Sequence, residues 1–359
     1  MTKRFGARRK SINLSIPNQR LVRAFGLTNT FVSAGTAVRD QFRRDALALL
    51  NGRASRLGWA EYLEVALESV KASLSDERPF DQFIQITTLR IILIVLLGVP
   101  SLPEELNGDD LQITAGLISE LWDQSKTSSP TDKVKLDLLN LHLRRLLVRD
   151  LDAFPNPLDI VIPAWETLWR VIATTVAYVH DNQSYREAFG GLRNSQDPGR
   201  TFSSPNAEDG SSVQSIITEI LRLHPPSRRI HRAISCSPFF IPRALKGVFR
   251  STRLEVADIE ALHRSSEIWG PSSNEFQPAR HDESKESEGI DSDRKILAFG
   301  SGRLQCPAKK WAPLAAAMAV AAILEFLESD SGYTLVRGET IGSRKGWEGW
   351  MIRKMHDIA

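Results

Sequence analysis

The stretch Ala164–His180 carries apolar side chains on nearly every face of the helix that its spacing predicts. A helix without a polar face has to be surrounded by protein. A second stretch, Trp311–Leu327, is almost wholly apolar and rich in alanine. We therefore expect a large helical core around these two segments. Neither provides the ~18 consecutive apolar residues of a membrane span, so no membrane span is expected.

Apolar residues at three- and four-residue spacing predict further helices, whereas strand-like runs are few and short. The predicted helices are Ala37–Leu67 with a break near Gly52–Gly58, Phe83–Leu97, Asp109–Gln124, Asp132–Leu151 and Val213–Leu223. The predicted strands are Phe239–Ile241, Arg253–Val256 and Tyr333–Arg337, and the predicted polar loops are Gly190–Ser212 and His281–Arg294. The expected class is mainly α with minor β.

The formal net charge of +3 is distributed unevenly along the chain. Residues 1–39 contain eight basic residues and no acidic one, and the remaining residues have a net charge of −5. This pattern is not that of a uniformly basic nucleic-acid-binding protein, so no nucleic-acid partner is expected. The two cysteines are too few for a disulfide framework and favour a reducing compartment.

Localisation is predicted from the same features. We expect a cytoplasmic protein, or one peripherally associated with the endoplasmic reticulum. The arginine-rich head has the composition of a mitochondrial presequence, which is kept as a minor alternative. A solvated basic tail is the simpler interpretation of this head, because Pro17 interrupts any amphipathic helix there.

The segment around Cys306 reads Phe-Gly-Ser-Gly-Arg-Leu-Gln-Cys-Pro-Ala-Lys from Phe299 to Lys309. Two glycines allow a tight fold, and Pro307 favours a first helical turn directly after the cysteine. A cysteine at the N-terminus of a helix is stabilised as the thiolate, the form that binds metals. Such a thiolate suits axial ligation of haem iron. A lone cysteine is otherwise more often an inert side chain, and a zinc site would lack its other ligands.

This segment resembles the haem-binding signature of the cytochrome P-450 family. The resemblance implies haem b as cofactor, with Cys306 as the proximal ligand of its iron. The neighbouring residues that it assigns to the cofactor are Phe299, Gly300, Gly302 and Arg303. Ala308 stands where the family usually has glycine, and Leu304 stands where it commonly has an arginine for a haem propionate.

A second set of residues resembles the same family. Glu219 and Arg222 form a Glu-x-x-Arg pattern, and Arg280 follows in a Phe-x-Pro-x-Arg pattern ahead of the cysteine segment. Alone, Glu219 and Arg222 would be an ordinary pair on the surface of a helix. The resemblance implies instead a buried Glu219–Arg222–Arg280 network that holds the approach to the cysteine. It also places Arg232 at a haem propionate.

The distal helix resembles the family less closely. The family typically has an acid followed by a threonine over the haem. The candidates for the catalytic position are Thr174 and Thr175, and Ala173 then occupies the position of the acid. Glu166 and Arg170, four residues apart, are interpreted as a structural pair. The residues that would deliver protons for oxygen activation are therefore not identified by this pattern.

The N-terminal part defines the predicted domains. Residues 1–19 are predicted to be a basic tail and residues 20–359 a single haem domain. The family usually begins with a membrane anchor and a β-rich subdomain, so we expect a fold that lacks the anchor and part of that subdomain. Arg39 is expected on a helix that crosses the propionate side of the haem.

The resemblance implies a haem-thiolate monooxygenase. Pro163–Arg170 is similar to a divergent group of filamentous-fungal members, which implies an apolar natural product of secondary metabolism as substrate. The electrons would come from an NADPH-dependent reductase, whose acidic face could contact Lys309 and Lys310. Two alternatives stay open: a non-oxygenating rearrangement, dehydration or cyclisation, and a non-catalytic relative without haem.

Overall fold

The computed structural model describes residues 12–13, 15–33, 35–127, 130, 132–147, 155–205, 207–236, 251–281, 296–302, 305–327 and 332–355. Arg303 and the predicted strand Phe239–Ile241 lie outside the described residues. Arg232 is described by its backbone alone.

Helices make up most of the described chain. Their bounds are α1 Ser15–Phe25, α2 Thr36–Leu49, α3 Ser55–Lys71, α4 Phe80–Ile91, α5 Gly108–Gln124, α6 Lys133–Leu147, α7 Leu158–Trp165, α8 Leu168–Val179, α9 Gln183–Arg193, α10 Pro198–Ser203, α11 Val213–Leu223, α12 Ile259–His263, α13 Ser266–Trp269 and α14 Ala312–Glu325. One turn of π-helix extends α2 over Leu50–Ala54, and another extends α4 over Ile92–Leu96. Single turns of 3-10 helix lie at Pro103–Glu105, Pro278–His281 and Pro307–Lys310.

Six short strands form two antiparallel sheets among the described residues. The strands are β1 Ile12–Asn13, β2 Glu77–Pro79, β3 Arg229–Cys236, β4 Ser251–Asp258, β5 Tyr333–Val336 and β6 Met351–Lys354. The strand orders are β1-β3-β4 and β2-β6-β5. In the first sheet, the pairing of β3 with β4 runs from Arg229 opposite Asp258 to Cys236 opposite Ser251. The prediction of a mainly helical chain with minor β is confirmed.

Helix α14 lies at the centre of the core. It packs against α3, α8, α9 and α11, and every side chain from Leu314 to Leu324 is buried. Its small alanine side chains allow the neighbouring helices to approach closely. The hydroxyl of Tyr62 on α3 donates to the carbonyl of Ala315 at 2.8 Å, which anchors α3 on this helix.

The central apolar segment is two helices rather than the one predicted over Ala164–His180. Helix α7 ends at Trp165 and α8 begins at Leu168, so the break falls on Glu166 and Thr167. Arg170 donates its Nε to the carbonyl oxygen of Glu166 at 3.0 Å, which supplies a partner for a carbonyl at the break. Both helices are predominantly buried, and the break opens toward the cavity described below.

One stretch of the described residues, Leu158–Val179, is long and apolar enough to cross a membrane. It contains α7 and α8, and 72% of its most apolar window is buried inside the protein. A helical pair at the centre of a folded core meets the same criteria of length and composition. The burial of this segment is that of a core element.

Other local predictions were wrong because short-range hydrogen bonds outweigh composition. The predicted loop Gly190–Ser212 contains the end of α9 and the whole of α10. The side chain of Asp197 caps α10 by accepting from the Arg200 amide at 3.1 Å. Strand β3 was not predicted. Helix α1 begins at Ser15, five residues before the predicted boundary between tail and domain.

The loop between β5 and β6 folds so tightly that Gly338 has no room for a side chain. A Cβ atom at this position would overlap the carbonyl oxygen of Glu348 and the ring of Trp350. We expect Gly338→Ala to lower the free energy of unfolding by about 1–3 kcal/mol, because the loop has to shift. Denaturant unfolding measures this change.

Gly116 provides the matched control. It lies on the exposed face of α5, where an added Cβ meets nothing within 4 Å. Gly116→Ala should stabilise the protein by roughly 0.5–1 kcal/mol, because alanine favours the helical backbone. Equal stability of the two variants would contradict the packing described for the Gly338 loop.

Candidate functional site

The segment before Cys306 folds back on itself. The Cys306 amide donates to the carbonyl of Phe299 at 2.9 Å, and the Gly300 amide donates to the carbonyl of Leu297 at 2.8 Å. Gly300 and Gly302 have φ values of 68° and 63°, which glycine adopts readily and other residues do not. These contacts hold the cysteine at the end of a closed loop.

Cys306 begins the helical turn that leads into α14. Pro307 is the first residue of this turn, and the Lys309 amide donates to the Cys306 carbonyl at 3.3 Å. Cys306 is free, its surface is open to the cavity that it lines, and the protein around this cavity limits its contact with bulk water. Burial raises the pKa of the thiol, and a hydrogen bond from the Ala308 amide opposes the rise. The sequence argument expected the helix end to favour the thiolate, but desolvation outweighs it in the isolated chain.

A cavity of about 1050 Å³ opens in front of Cys306. Apolar side chains from distant parts of the chain form much of its wall. Examples from five separate segments are Leu50, Leu96, Ile217, Phe299 and Trp311. The volume and the apolar lining are those of a site for a sizeable organic ligand.

Two arginines of α2 line the cavity on the side of the cysteine turn. Arg39 and Arg43 are four residues apart, and α2 contacts the turn Pro307–Lys310. Arg39 pairs with Asp40 at 2.9 Å and its side chain is 20% exposed. Arg39 lies on a helix that lines the cavity, and its contact with a haem propionate stays a prediction. The predicted contribution of Arg232 and Arg303 stays a prediction, because their side chains lie outside the described part of the chain.

The two threonines predicted to lie over the haem do not line the cavity. Thr174 and Thr175 are buried in α8 and do not line the cavity. The hydroxyl of Thr175 donates to the carbonyl of Val171 at 2.7 Å, as threonines in the middle of a helix commonly do. Glu166 and Thr167, at the break between α7 and α8, line the cavity instead. An acid followed by a threonine is thus present on the cavity wall at Glu166 and Thr167, whereas the predicted Thr174 and Thr175 lie away from the cavity.

Glu166 is held by two arginines. Its carboxylate pairs with Arg170 at 2.9 Å and with Arg344 at 2.5 Å, and its side chain is 3% exposed. Burial raises the pKa of the Glu166 carboxyl, and the two guanidinium groups oppose the rise. The sequence identified the Arg170 partner from its spacing. It could not identify Arg344, because that residue lies 178 positions further along the chain.

The structure brings Glu219, Arg222 and Arg280 together. Arg222 donates its Nε to Glu219 Oε2 at 2.7 Å and its Nη2 to Oε1 at 2.8 Å, while Arg280 donates its Nε to Oε1 at 3.0 Å. His281 Nε2 lies 2.8 Å from Oε2, and the Gln277 amide donates to Oε1 at 3.0 Å. Burial alone would raise the pKa of Glu219, but these hydrogen bonds outweigh it and lower the pKa to about 2.

His263 links this network to the cysteine segment, and no local sequence pattern points to it. Its Nδ1 donates to the carbonyl of Arg222 at 3.1 Å, and its Nε2 accepts from the amide of Leu297 at 2.9 Å. The carbonyl of Leu297 in turn accepts from Gly300. His263 is 1% exposed, so both of its hydrogen bonds are shielded from water. The network therefore reaches the loop that carries Cys306 through one imidazole.

Comparisons with known proteins agree with this geometry. The family model described as cytochrome P-450 matches residues 206–330, which include the Glu219 network and the Cys306 loop. Over these residues the chain is similar to the cytochrome P-450 family. Curated relatives match over stretches of between 103 and 155 residues. Cytochrome P-450 71A18 of Arabidopsis thaliana is 35% identical over 103 residues, which cover 26% of this chain and 18% of the relative.

A second relative from the same plant is an indoleacetaldoxime dehydratase, 36% identical over 110 residues. These residues cover 28% of this chain and 19% of that protein. Cytochrome P-450 71A18 and cytochrome P-450 71A23 are matched over only 18% and 28% of their own lengths.

Solved structures show the fold over almost the whole chain. A 6-coordinated cytochrome P-450 from Thermus thermophilus covers 96% of this chain and 88% of its own, with a TM-score of 0.61 and 15% identity. CYP175A1 from another strain of Thermus thermophilus gives a TM-score of 0.62 at 16% identity, with 96% and 85% covered. The predicted cytochrome P-450 fold, mainly helical with minor β, is confirmed.

The residues of the cavity fit the haem that the family implies. A sulfur ligand stands on the wall, apolar side chains surround the space in front of it, and Arg39 and Arg43 lie where anionic propionates could pair with them. Ala308, in place of the usual glycine, also lines the cavity and adds only a methyl group.

We expect His263→Phe to lower both the thermal midpoint and the haem bound per chain. The substitution keeps the ring volume but leaves the Leu297 amide and the Arg222 carbonyl buried without partners, at about 1–3 kcal/mol each. Thermal unfolding and the haem content of purified protein measure the two effects.

His142→Phe is the control. His142 is also buried, and its Nδ1 lies 2.5 Å from Asp110 on α5, away from the cysteine loop. The His142→Phe variant should have a lower thermal midpoint of unfolding and an unchanged haem content. If both variants lose haem equally, His263 has no special role in holding the Cys306 loop.

Proposed function

We propose that the chain is a haem-thiolate enzyme that acts on a small organic molecule. The observation that carries the proposal is the position of Cys306, held by a folded glycine loop on the wall of a cavity of about 1050 Å³. A structural cysteine would have no need of such a cavity. The thiolate would be the axial ligand of the haem iron.

Arginines of this chain would hold the propionates of the haem. Arg39 and Arg43 lie on one face of α2 beside the cysteine turn. Arg232 and Arg303 are proposed for the same role on the family resemblance. A guanidinium group matches a carboxylate with two parallel hydrogen bonds, so several arginines could fix the orientation of the haem.

The leading reaction is a monooxygenation. When bound, the haem would supply the oxidative chemistry: one oxygen atom of O2 enters the substrate, and the other leaves as water with two electrons and two protons. The electrons would come from an NADPH-dependent reductase. The apolar wall would orient the substrate and exclude water from it. An apolar natural product of fungal secondary metabolism remains the proposed substrate class, on the resemblance of Pro163–Arg170.

Thr167 is the residue of this chain best placed to handle a proton. It lies between α7 and α8, and its side chain lines the cavity. Its hydroxyl can accept one hydrogen bond and donate another, as a proton relay requires. Glu166, the adjacent acid, would orient this position.

A redox-neutral reaction is the second candidate. Both carboxylate oxygens of Glu166 are engaged by guanidinium groups of Arg170 and Arg344. A carboxylate so paired has little freedom to carry protons. One similar relative is named as a dehydratase. Together these observations favour keeping a dehydration as the alternative, and dependence of turnover on O2 and NADPH separates the two.

We expect Cys306→Ala to remove the thiolate-type absorption of the reduced, carbon monoxide-bound protein, because no other sulfur would be available to the iron. Cys236→Ala, which changes the other cysteine of the chain, should leave the band unchanged. Visible spectra of both purified variants make the measurement. Persistence of the band in Cys306→Ala would refute the assignment of the ligand.

We expect Thr167→Ala to lower the product formed per NADPH consumed by about a hundredfold, the lower end of the range for loss of a positioned proton donor. Haem content should not change, since Thr167 is not proposed to hold the haem. Product formation from a panel of apolar compounds measures the effect.

Thr174→Ala and Thr175→Ala serve as controls for the same assay. Both residues are buried away from the cavity, so turnover per NADPH should stay at the level of the unaltered protein. A large loss in either control and none in Thr167→Ala would restore the assignment made from the sequence.

A further inference from the structure

One end of the cavity carries an excess of positive charge that the haem contacts described above do not use. It is built from α1, the end of α5, the start of α8 and the loop between β5 and β6. We call it the basic end. Its cations are Arg20, Lys126, Arg170, Arg344 and Lys345, and its carboxylates are Asp123 and Glu166.

The charges of the basic end do not balance. Glu166 pairs with both Arg170 and Arg344, whose side chains are 12% and 10% exposed. Asp123 alone faces both Lys126, at 2.8 Å, and Lys345, at 2.6 Å. Each carboxylate thus neutralises one cation and leaves another in excess.

Arg20 adds to this excess. Its guanidinium donates to the Ser125 hydroxyl and lies 5.1 Å from the ring centre of Trp122, and the structure describes no carboxylate as its partner. Arg344 lies over the same ring at 4.3 Å. The five cations and two carboxylates together leave a net charge of +3 at the basic end.

Unbalanced guanidinium groups are costly to shield from water. Burial lowers the pKa of Arg170 to about 10, and it also lowers that of Arg344. Both guanidinium groups stay charged near pH 7, so they need an anion more than they need further hydrogen bonds to neutral groups. A carboxylate meets this need best, because its two oxygens match the guanidinium fork.

The basic end is separate from the residues proposed to hold the haem. Arg39 and Arg43 belong to α2, which contacts the turn after Cys306. Arg344 and Lys345 belong to the loop between β5 and β6, and Arg170 belongs to the distal helix α8.

We propose that the substrate of this enzyme carries a carboxylate, which binds at the basic end while its apolar body occupies the space toward Cys306. This proposal rests on the proposed function, since it names the substrate class of the same cavity. It replaces a wholly apolar substrate with an amphipathic acid. Arg344 is the principal contact, because it is nearly buried, faces the cavity and shares its carboxylate with Arg170.

The test is calorimetric binding of matched ligand pairs to the purified haem-loaded chain at low ionic strength. Each pair consists of a straight-chain or aryl-alkyl carboxylic acid and its primary amide, over a range of sizes. We expect the best acid to bind at least about tenfold more tightly than its amide, the effect of a hydrogen bond to a charged group. Added salt should weaken the binding of the acid and leave the binding of the amide unchanged.

Two variants locate the contact. Arg344→Gln should remove most of the preference for the acid and leave the affinity for the amide unchanged. Lys345 has a side chain 75% exposed, so Lys345→Gln cannot disturb the core, and it should reduce the preference by a smaller factor. Arg337→Gln is the control, because Arg337 is exposed near the same loop and does not line the cavity.

The outcomes separate the possible sources of the anion. If Arg344→Gln loses haem while the acid still binds, the basic end holds a haem propionate and the proposal is overturned. Equal affinity for acid and amide in every pair, or no measurable binding by any acid, also overturns it. A missing thiolate band in the unaltered protein would instead refute the proposed function, and it leaves the calorimetric ratios unaffected.

Discussion

The carboxylate of Glu219 is the point on which the geometry of the site depends. It accepts hydrogen bonds from two arginines, an imidazole and a backbone amide, and its side chain is fully buried. Hydrogen bonds to an ionised group are strong and directional, although burying the charges offsets much of their stability. The main role of these hydrogen bonds is therefore positional, because they hold residues 277–281 against α11.

His263 carries this geometry one step further. Arg222 uses its side chain on Glu219 and its carbonyl on His263, and His263 accepts from the amide of Leu297 just before the glycine loop. The loop then closes through the bond from Cys306 to Phe299. A buried ion network, one imidazole and two glycines thus place a single sulfur atom on the cavity wall.

The opposite wall is organised by a second carboxylate. Glu166 sits at the break between α7 and α8 and holds Arg344, which belongs to the loop between β5 and β6. That loop is confined by the tight packing of Gly338 against Trp350. This ion pair thereby joins the segment between α7 and α8 to the loop between β5 and β6. The same ion pairs leave positive charge unbalanced, which gives the cavity an apolar body and a basic end.

The sequence predicted the parts of this site that depend on local patterns. The glycine loop around Cys306, the Glu-x-x-Arg pair and the apolar helices α8 and α14 have spacings that reveal them. It did not place Thr167 on the cavity wall, because spacing alone did not show the division between α7 and α8. It missed His263 and Arg344, since each acts on residues far away in the chain and belongs to no local pattern. Contacts between residues so far apart in the sequence form only when the helices of the core have packed together.

The other proposals depend on ligation of haem iron by Cys306 from its loop on the cavity wall. Absorption of the purified full chain, loaded with haem, reduced and exposed to carbon monoxide, tests it most directly. The account predicts a Soret band at the position typical of thiolate ligation, with one haem per chain. A folded protein that binds no haem, or a band typical of nitrogen ligation, would contradict it.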